Sequence, residues 1–225
     1  RTEFVTGSGR FSAYFACDSL ALATKDNFHL QDTIQRDCNI TVQASDIAFN
    51  ANYNSKHDLT LVSTEGNVSL GSQINANNIY AKSARHIYTN NQVSAALVIS
   101  FDAEGSYNNL GGVVNADTVA IKAAEIRNVT RGSNVGSLNS GLSVGSGGVI
   151  NGRSKLFMEA TSGDIVNHGG VIRAGEYAQL LAKGSVRNLC NERVSQGQYD
   201  AIRNFDGGLI AGGTGAQTDG VGLYI

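Results

Sequence analysis

The sequence predicts an all-β fold of the solenoid class, a parallel β-helix with about 20 residues per coil that spans residues 1–225 as one segment. Three observations predict it. A Gly-Gly pair followed by two aliphatic residues recurs along the chain, short bursts alternate apolar with polar residues, and glycine or asparagine stands at the bends. Strands this short cannot bury a face alone. Stacked coil on coil at a spacing of about 4.8 Å, they form parallel ladders around one core.

The Gly-Gly pairs define the repeat. Four Gly-Gly pairs are followed by two aliphatic residues, and the steps between these four are 36, 22 and 38 residues. The shortest step is close to one coil of a β-solenoid, and the longer steps fit two coils or one coil plus a loop. Because glycine is a preferred residue at tight bends, the pairs are predicted to be structural turns. Their residues are Gly111 and Gly112, Gly147 and Gly148, Gly169 and Gly170, and Gly207 and Gly208.

Each repeating unit holds two or three bursts, and the third burst ends in asparagine. The residues are Asn128, Asn167 and Asn188. A side-chain amide that lies over its equivalent one coil away can bond both that neighbour and the backbone carbonyl of the turn. The repeated register therefore favours an asparagine ladder at these three positions. The alternative, that asparagine is only a good turn former, stays open for any single position.

The repeat is interrupted in places. Residues 1–45 fit it poorly and are predicted to be early coils or a capping layer, whereas residues 46–225 carry the repeat clearly. Loop excursions are predicted near 130–148, which is rich in glycine, serine and asparagine, and near 190–204, where charged residues break the pattern. The stretch from Asp26 to Arg36 is the only one that fits a short amphipathic helix.

Composition and charge exclude several classes of protein. The chain has 225 residues, 27 glycines, no proline and 16% charged residues, which is typical of many tight turns between short strands. A net charge of −2 provides no field that would attract nucleic acid, so no nucleic-acid partner is expected. No run approaches 18 apolar residues, so no membrane insertion is expected. Both ends of the sequence resemble cuts through a longer chain.

The chemistry-bearing side chains form no recognisable catalytic or metal-binding motif. The four histidines lie far apart in sequence, outside the spacings that bind metals, and they are His29, His57, His86 and His168. No nucleophile elbow, phosphate-binding loop or complete dinucleotide fingerprint occurs. The sequence therefore predicts a protein that is not an enzyme and that holds no cofactor and no metal.

Two alternatives stay open beside a structural rod. β-Helices also include polysaccharide-degrading enzymes, which need two or three carboxylates close together on one face. Asp200, Asp206 and Asp219 are the nearest candidates, but they follow no shared register. The second alternative is a carbohydrate-binding segment like a phage tail fibre, which would be an obligate trimer. The expectation here is a monomer.

The cysteines suggest a disulfide. Cys17 and Cys38 are 21 residues apart, so in a solenoid of about 20 residues per coil they would lie one above the other, within reach of a bridge. We predict a Cys17–Cys38 disulfide, which fits an oxidising extracellular setting. Two buried thiols are the alternative. The third cysteine is Cys190.

The run from Gly163 to Gly175 resembles the repeat G-D-I-x-N-x-G-G-x-I-x-A-G of filamentous haemagglutinins. The same repeat occurs in large two-partner-secreted exoproteins, including contact-dependent growth-inhibition toxins. Leu59 to Leu70 is similar to their L-x-L-x-A-x-G-x-V-x-L units. The resemblance covers roughly residues 46–225 and is strongest after residue 144. The N-P-N-L and N-P-N-G signatures of their secretion domain need proline, which this chain lacks, so it corresponds to an interior piece.

This resemblance implies a right-handed parallel β-helix in a bacterial virulence protein. It further implies a secreted or cell-surface location and export through an outer-membrane partner transporter. The segment would be a stalk that mediates adhesion to a target cell or delivers a toxin to it, and these two roles stay open. The target-cell receptor, protein or glycan, is unknown. Because loops that project from a regular scaffold usually carry recognition, the excursion from Cys190 to Asn204 is the predicted receptor contact, with Glu192, Arg193, Tyr199 and Arg203 as the contacting residues.

Overall fold

A computed structural model of the chain describes residues 3–4, 19–30, 38–129, 147–189, 191–192, 205–206, 209–211 and 223–224. Within these ranges the protein is all-β, without a helix. The strands are β1 Glu3–Phe4, β2 Ser19–Ala23, β3 Phe28–Leu30, β4 Asn39–Ala44, β5 Ile47–Phe49, β6 Tyr53–Asn54, β7 Leu59–Ser63, β8 Val68–Leu70, β9 Ile74–Ser83, β10 Ile87–Thr89, β11 Gln92–Ala103, β12 Ser106–Leu110, β13 Val113–Ala123, β14 Glu125–Val129, β15 Val149–Ala160, β16 Ile165–His168, β17 Val171–Ala174, β18 Tyr177–Ala182, β19 Val186–Leu189, β20 Asn191–Glu192, β21 Phe205–Asp206, β22 Leu209–Ala211 and β23 Leu223–Tyr224.

The strands form two long parallel sheets. Sheet A runs β1-β2-β4-β7-β9-β11-β13-β15-β17-β22, with β6 beside β9 and β18 between β15 and β23. Sheet B runs β19-β16-β14-β12-β10-β8-β5-β3. Every strand of these two paths therefore pairs with strands from neighbouring turns, and the strands stack as a β-solenoid of about seven turns, roughly 20 residues apart. The predicted fold class is confirmed.

Each turn of the solenoid has three faces. In β9 the inward residues are Ile74 and Ala76, but after Asn77 and Asn78 the inward set becomes the odd-numbered residues that start at Ile79. Two consecutive residues that do not point inward place a bend between the two limbs. We call the first limb face 1, the second limb face 2, and sheet B face 3.

The core is a set of apolar columns that run along the solenoid axis. On face 3 the first inward position of every strand is apolar, and all but the half-buried Val186 are buried: Phe28, Ile47, Val68, Ile87, Tyr107, Ile126, Ile165 and Val186. Full burial of one aliphatic or aromatic side chain contributes roughly 1.5–3 kcal/mol. Each strand is thus stabilised by its neighbours in the turns above and below.

One corner, where face 2 leads into face 3, is stabilised by side chains that accept backbone N–H groups from the next turn. Asp46 Oδ1 accepts from the backbone N–H of Asn67 at 2.7 Å, and Asn67 Oδ1 accepts from that of His86 at 3.2 Å. His86 Nδ1 then accepts from the backbone N–H of Ser106 at 2.9 Å. Asp164 repeats the contact higher in the solenoid. These bonds satisfy donors that the strand ladders leave unpaired at the corner.

One expectation for the first 45 residues is wrong. Phe28–Leu30 is a strand that pairs with Ile47–Phe49, so the short helix predicted from Asp26 to Arg36 is wrong for its described part. Phe28 and Leu30 are buried on either side of an exposed His29, which is the period of a strand. Residues 31–37 lie outside the described ranges. Strands β2, β3 and β4 pair in the same order as the later strands, so these described residues continue the two ladders.

Candidate functional site

The site that departs most from a plain solenoid is the corner where face 3 leads into face 1. At this corner the chain reads Asn-x-Gly-Gly, as in Asn109–Gly112 and Asn167–Gly170. We call it the glycine corner. It comprises the last residues of β12, β14, β16 and β19, the three Gly-Gly pairs within the described ranges, and the first residues of β13, β15, β17 and β22.

A ladder of asparagine side chains lies under the glycine corner. The Nδ2 group of Asn109 donates to Asn128 Oδ1, that of Asn128 to Asn167 Oδ1, and that of Asn167 to Asn188 Oδ1, each at 2.8 Å. Asn109, Asn128 and Asn167 are completely buried. The structure therefore stacks the three asparagines singled out in the sequence and adds Asn109, which the sequence analysis missed although it stands before a Gly-Gly pair.

Two hydroxyl groups end the ladder at its lower side. Thr89 Oγ1 donates to Asn109 Oδ1 at 2.9 Å, and the Tyr107 hydroxyl lies 2.8 Å from Thr89 Oγ1. Since the single Thr89 proton is used on Asn109, Tyr107 is the donor in the second bond. Complete burial raises the pKa of the Tyr107 phenol far above its ordinary value, against the opposing effect of the bond to Thr89. The phenol therefore remains a hydrogen-bond donor.

Each buried asparagine also holds the turn beside it. Asn109 Nδ2 donates to the carbonyl of Gly112 at 2.9 Å, Asn128 Nδ2 to that of Gly148 at 2.8 Å, and Asn167 Nδ2 to that of Gly170 at 2.9 Å. The carbonyls of Gly112 and Gly148 also accept the backbone N–H groups of Val149 and Val171, each at 2.8 Å, so the asparagine amide is a second donor to these two turns. Every hydrogen bond of this kind contributes about 0.5–1.5 kcal/mol.

The two glycines of a pair have different functions. Gly111 and Gly169 have φ angles of 70° and 67°, a left-handed conformation that side chains with a Cβ disfavour. The second glycine leaves room for the ladder, because a Cβ on Gly148 would collide with the amide of Asn128 and one on Gly170 would collide with Asn128 and Asn167. The pair Gly207 and Gly208 lies outside the described residues.

The excursion predicted near 130–148 interrupts one Asn-x-Gly-Gly unit. Asn128 and Val129 are followed by 17 residues, 130–146, before Gly147 and Gly148 complete the unit. Residues 130–146 lie outside the described ranges, but the ladders on both sides continue. Val129 pairs with Leu110 and His168, and Val149 pairs with Val113 and Val171. The solenoid therefore passes this insertion without a break.

The second excursion interrupts the equivalent point. Asn188 and Leu189 are followed by 17 residues, 190–206, before Gly207 and Gly208. Near the base of this insertion β20 pairs with β21 in antiparallel register, Asn191 with Asp206. Because Val129, His168 and Leu189 stand in one column, the two insertions leave the same corner two ladder steps apart, a distance of about 10 Å.

The predicted receptor residues belong to this second insertion. Glu192 lies in β20, where it pairs with Phe205. Arg193, Tyr199 and Arg203 lie outside the described residues. Sequence reasoning recognised both excursions but missed their equivalence, although the signal was present as Asn-x before and Gly-Gly after each of two 17-residue segments.

Apolar side chains border the corner. Six large hydrophobic side chains are exposed within the described ranges, and three of them lie here: Leu110 at 37%, Val113 at 39% and Leu189 at 39%. Val129, Val149 and Val171 fill the same two columns and are half-buried. A group of exposed apolar side chains on one part of a protein surface is typical of an interaction site.

Several carboxylates in the described ranges form structural contacts. Asp46 and Asp164 accept backbone N–H groups, Asp117 accepts from Ser154 at 2.7 Å, and Glu159 lies 3.3 Å from Lys122. No cluster of three or more histidine, cysteine or acidic residues that could hold a metal ion occurs in the part of the chain that the structure describes. Of the three aspartates considered for catalysis, Asp206 lies in β21, and Asp200 and Asp219 lie outside the described ranges.

One of the three cysteines is described. Cys38 is completely buried and disulfide-bonded. Cys17 and Cys190 both lie outside the described residues. Ser19, two residues after Cys17, pairs with Asn39, the neighbour of Cys38, whereas Leu189 belongs to the last strand of sheet B. Cys17 therefore remains the predicted partner.

Comparisons with known proteins complete the description of the site. Among the described residues no helix has the length and apolar character needed to cross a membrane. Neither protein-family models, nor curated proteins, nor solved structures give a match to this chain. The resemblance to filamentous haemagglutinins consequently depends on the repeats in the sequence, and the functional interpretation depends on the geometry of the glycine corner.

Proposed function

We propose that this chain is a non-catalytic β-helical stalk of a secreted bacterial surface protein, and that it contacts a target cell through the two insertions at its glycine corner. The observation that carries the proposal is the uninterrupted ladder on both sides of residues 130–146. A scaffold that continues past an insertion can vary that insertion without loss of the fold, which is how rigid frames commonly support recognition loops.

The stacking of the turns supports the role of a stalk. Each turn adds about 4.8 Å along the axis, and its contacts are made with the turns on either side. Length can therefore increase by the addition of turns, without a larger core. The regular columns of the described solenoid, such as Ile79, Ile99 and Val119 on face 2, are consistent with this additive construction.

The disulfide supports an extracellular location. Cys38 is bridged, and disulfides form and persist mainly in secreted, periplasmic and surface proteins. In such a protein, export would depend on an outer-membrane partner transporter, as in the family that the repeats resemble. The role is then adhesion to a target cell, or presentation of a toxin carried elsewhere on the same parent protein.

Clean excision of the insertions tests the proposal. One variant joins Val129 to Gly147 and the other joins Leu189 to Gly207, so that each restores an uninterrupted Asn-x-Gly-Gly unit. Binding of the labelled protein to epithelial and to bacterial cells is measured by flow cytometry, and folding is checked by far-ultraviolet circular dichroism. We expect that both variants keep the circular dichroism spectrum of the parent protein and that at least one of them no longer binds cells.

Two results would contradict the proposal. Cell binding that survives removal of both insertions would place recognition elsewhere on the solenoid. Failure of both excised proteins to fold would show that the insertions are part of the scaffold. The matched control is His168→Ala, which changes the uninterrupted Asn-x-Gly-Gly unit between the two insertions and removes no residues. It shows whether cell binding depends on the insertions or on the surface of the glycine corner itself.

A further inference from the structure

A second surface lies on the outside of face 2, away from the glycine corner. The outward column there contains Tyr80, Ser100, Ala120 and Phe157, one residue from each of four successive turns in direct register. The two end members are aromatic and the two middle members are small. The result is a trough with a floor of Ser100 and Ala120 and an aromatic ring at each end.

The rings at the ends of the trough are accessible from outside the protein. Tyr80 is 39% exposed, and Phe157 is half-buried. Tyr177, from the following turn, extends the upper end, since its ring centroid lies 5.9 Å from that of Phe157 with an interplanar angle of 51°. Three ladder steps separate Tyr80 from Phe157, which places the rings about 14 Å apart.

Charged side chains of alternating sign form one wall of the trough. Lys82, Asp102, Lys122 and Glu159 stand in one outward column, two residues after the members of the floor column. Lys122 and Glu159 are 3.3 Å apart. Within the described ranges Asp102 forms no ion pair closer than 4.0 Å with either lysine. Its carboxylate and the Lys82 ammonium group therefore present both an acceptor and a donor along the wall.

We propose that this trough binds a neutral oligosaccharide of about three pyranose rings that lies along the solenoid axis. The aliphatic C–H face of a pyranose packs on an aromatic ring, and the two ring platforms at a distance of about 14 Å match the ends of such a chain. The small floor residues leave room for the middle unit. Sugar hydroxyls both donate and accept, which suits a wall of alternating ammonium and carboxylate groups.

The charges on the wall determine the class of ligand. The wall column holds two lysines and two acidic residues, and the exposed Lys155 stands on the opposite flank, two residues before Phe157. A single additional positive charge is too weak a field to select a sulfated or otherwise polyanionic glycan. This trough is separate from the glycine corner, and the inference does not depend on the proposed function of the insertions.

Oligosaccharide binding to the purified full chain tests the inference. The probes are cello-, malto- and chito-oligosaccharides of two to six units, and binding is followed by isothermal titration and by saturation-transfer NMR. Expected is binding of at least one series, with an affinity that rises up to about three or four units and then levels off. Tyr80→Ala and Phe157→Ala should each lower that affinity about tenfold, since each removes one stacking platform.

Matched variants separate the trough from general effects on the fold. Leu97→Ala removes another exposed hydrophobic side chain, 52% exposed and outside the trough, and should leave the affinity unchanged. Ser100→Tyr fills the outward-facing floor without touching the core and should abolish binding. No binding of any neutral series would overturn the inference. Binding confined to a heparin oligosaccharide and weakened by salt would also overturn it. The same holds for binding that neither Tyr80→Ala nor Ser100→Tyr reduces.

Discussion

The lower and upper parts of sheet B use the same inward position in opposite ways. In the lower turns the third residue of the strand is apolar, as at Leu30, Phe49 and Leu70. In the upper turns the equivalent residue is an asparagine, as at Asn109 and Asn128. Thr89 stands between the two regions. The fold is the same on both sides, so the difference must come from the turn that leads out of this position.

These turns have different lengths in the two regions. The step to the first inward residue of face 1 is four residues in the lower region, from Phe49 to Tyr53 and from Leu70 to Ile74. It is five residues from Asn109 to Val114 in the upper region. The additional residue belongs to the Gly-Gly pair. An asparagine therefore occurs where the turn is one residue longer.

The longer turn changes the direction of a carbonyl group. In the lower region the turn carbonyls of Asn50 and Gly71 accept from exposed side chains, Ser72 Oγ and Asn91 Nδ2 respectively. In the upper region the carbonyls of the second glycines accept from buried asparagine amides. The asparagine ladder therefore accompanies the longer turn, whose carbonyls at Gly112 and Gly148 accept both a backbone N–H and a side-chain amide. It is also this longer turn that contains both 17-residue insertions.

The largest expected effect comes from an amide placed in the lower region. Phe49→Asn removes a completely buried ring between Leu30 and Leu70 and inserts an amide where no turn carbonyl points inward among the described residues. We expect a loss of about 4 kcal/mol or more in the free energy of unfolding, measured by urea denaturation. Phe49→Leu is the control and should cost about 1 kcal/mol. Equal losses for the two variants would show that the lower region accepts an amide.

The disulfide at Cys38 should be the next largest contribution, and it stabilises the lower region alone. Cys17→Ser and Cys38→Ser should each lower the free energy of unfolding by about 3 kcal/mol, the entropy expected for a loop of roughly this length. Cys190→Ser is the matched control and should have little effect. Peptide mapping without reduction that finds a free thiol at Cys17 would refute the predicted pairing.

Loss of one amide in the upper region should have a somewhat smaller effect. Asn128→Ala removes the amide donor to Asn167 Oδ1, one of the two donors to the Gly148 carbonyl, and the acceptor of Asn109 Nδ2, so we expect a loss of about 2–3 kcal/mol. The control is Asn108→Ala, an outward-facing asparagine whose Nδ2 donates to Ser106 Oγ at 2.7 Å. Its cost should stay within about 0.5 kcal/mol. If thermal unfolding showed the same shift for both, the ladder would not stabilise the turns.

The smallest expected effect distinguishes the glycines of the two regions. Gly148→Ala places a methyl group against the buried amide of Asn128, which cannot move without breaking the ladder, and should cost about 2 kcal/mol. Gly71→Ala meets the side chain of Asn50, which is exposed and can rotate away. Its melting temperature should be close to that of the parent protein. A larger shift for Gly71→Ala than for Gly148→Ala would reverse the comparison.

Much of the upper region could be predicted from the sequence, because its Gly-Gly pairs and asparagines repeat visibly. The lower region was predicted less well for a physical reason. Its turns carry no Gly-Gly signature, and an apolar residue such as Leu30 fits a helical pattern over a short window as well as a strand, which led to the wrong helix at Asp26–Arg36. The trough on face 2 was not visible at all, because its residues are 20 to 37 positions apart.

The sequence by itself determined the fold class and the inward face of most strands. Alternation with a period of two specifies which side chains are buried within a strand, and a recurrence near 20 residues specifies that strands stack. Only the tertiary structure decided which side chains of different turns lie next to each other. Whether Asn128 bonds Asn167, 39 residues away, or whether Tyr80 shares a column with Phe157, depends on the lengths of the turns between them. Those lengths set the register, and the register is a property of the stacked coils, not of any single one.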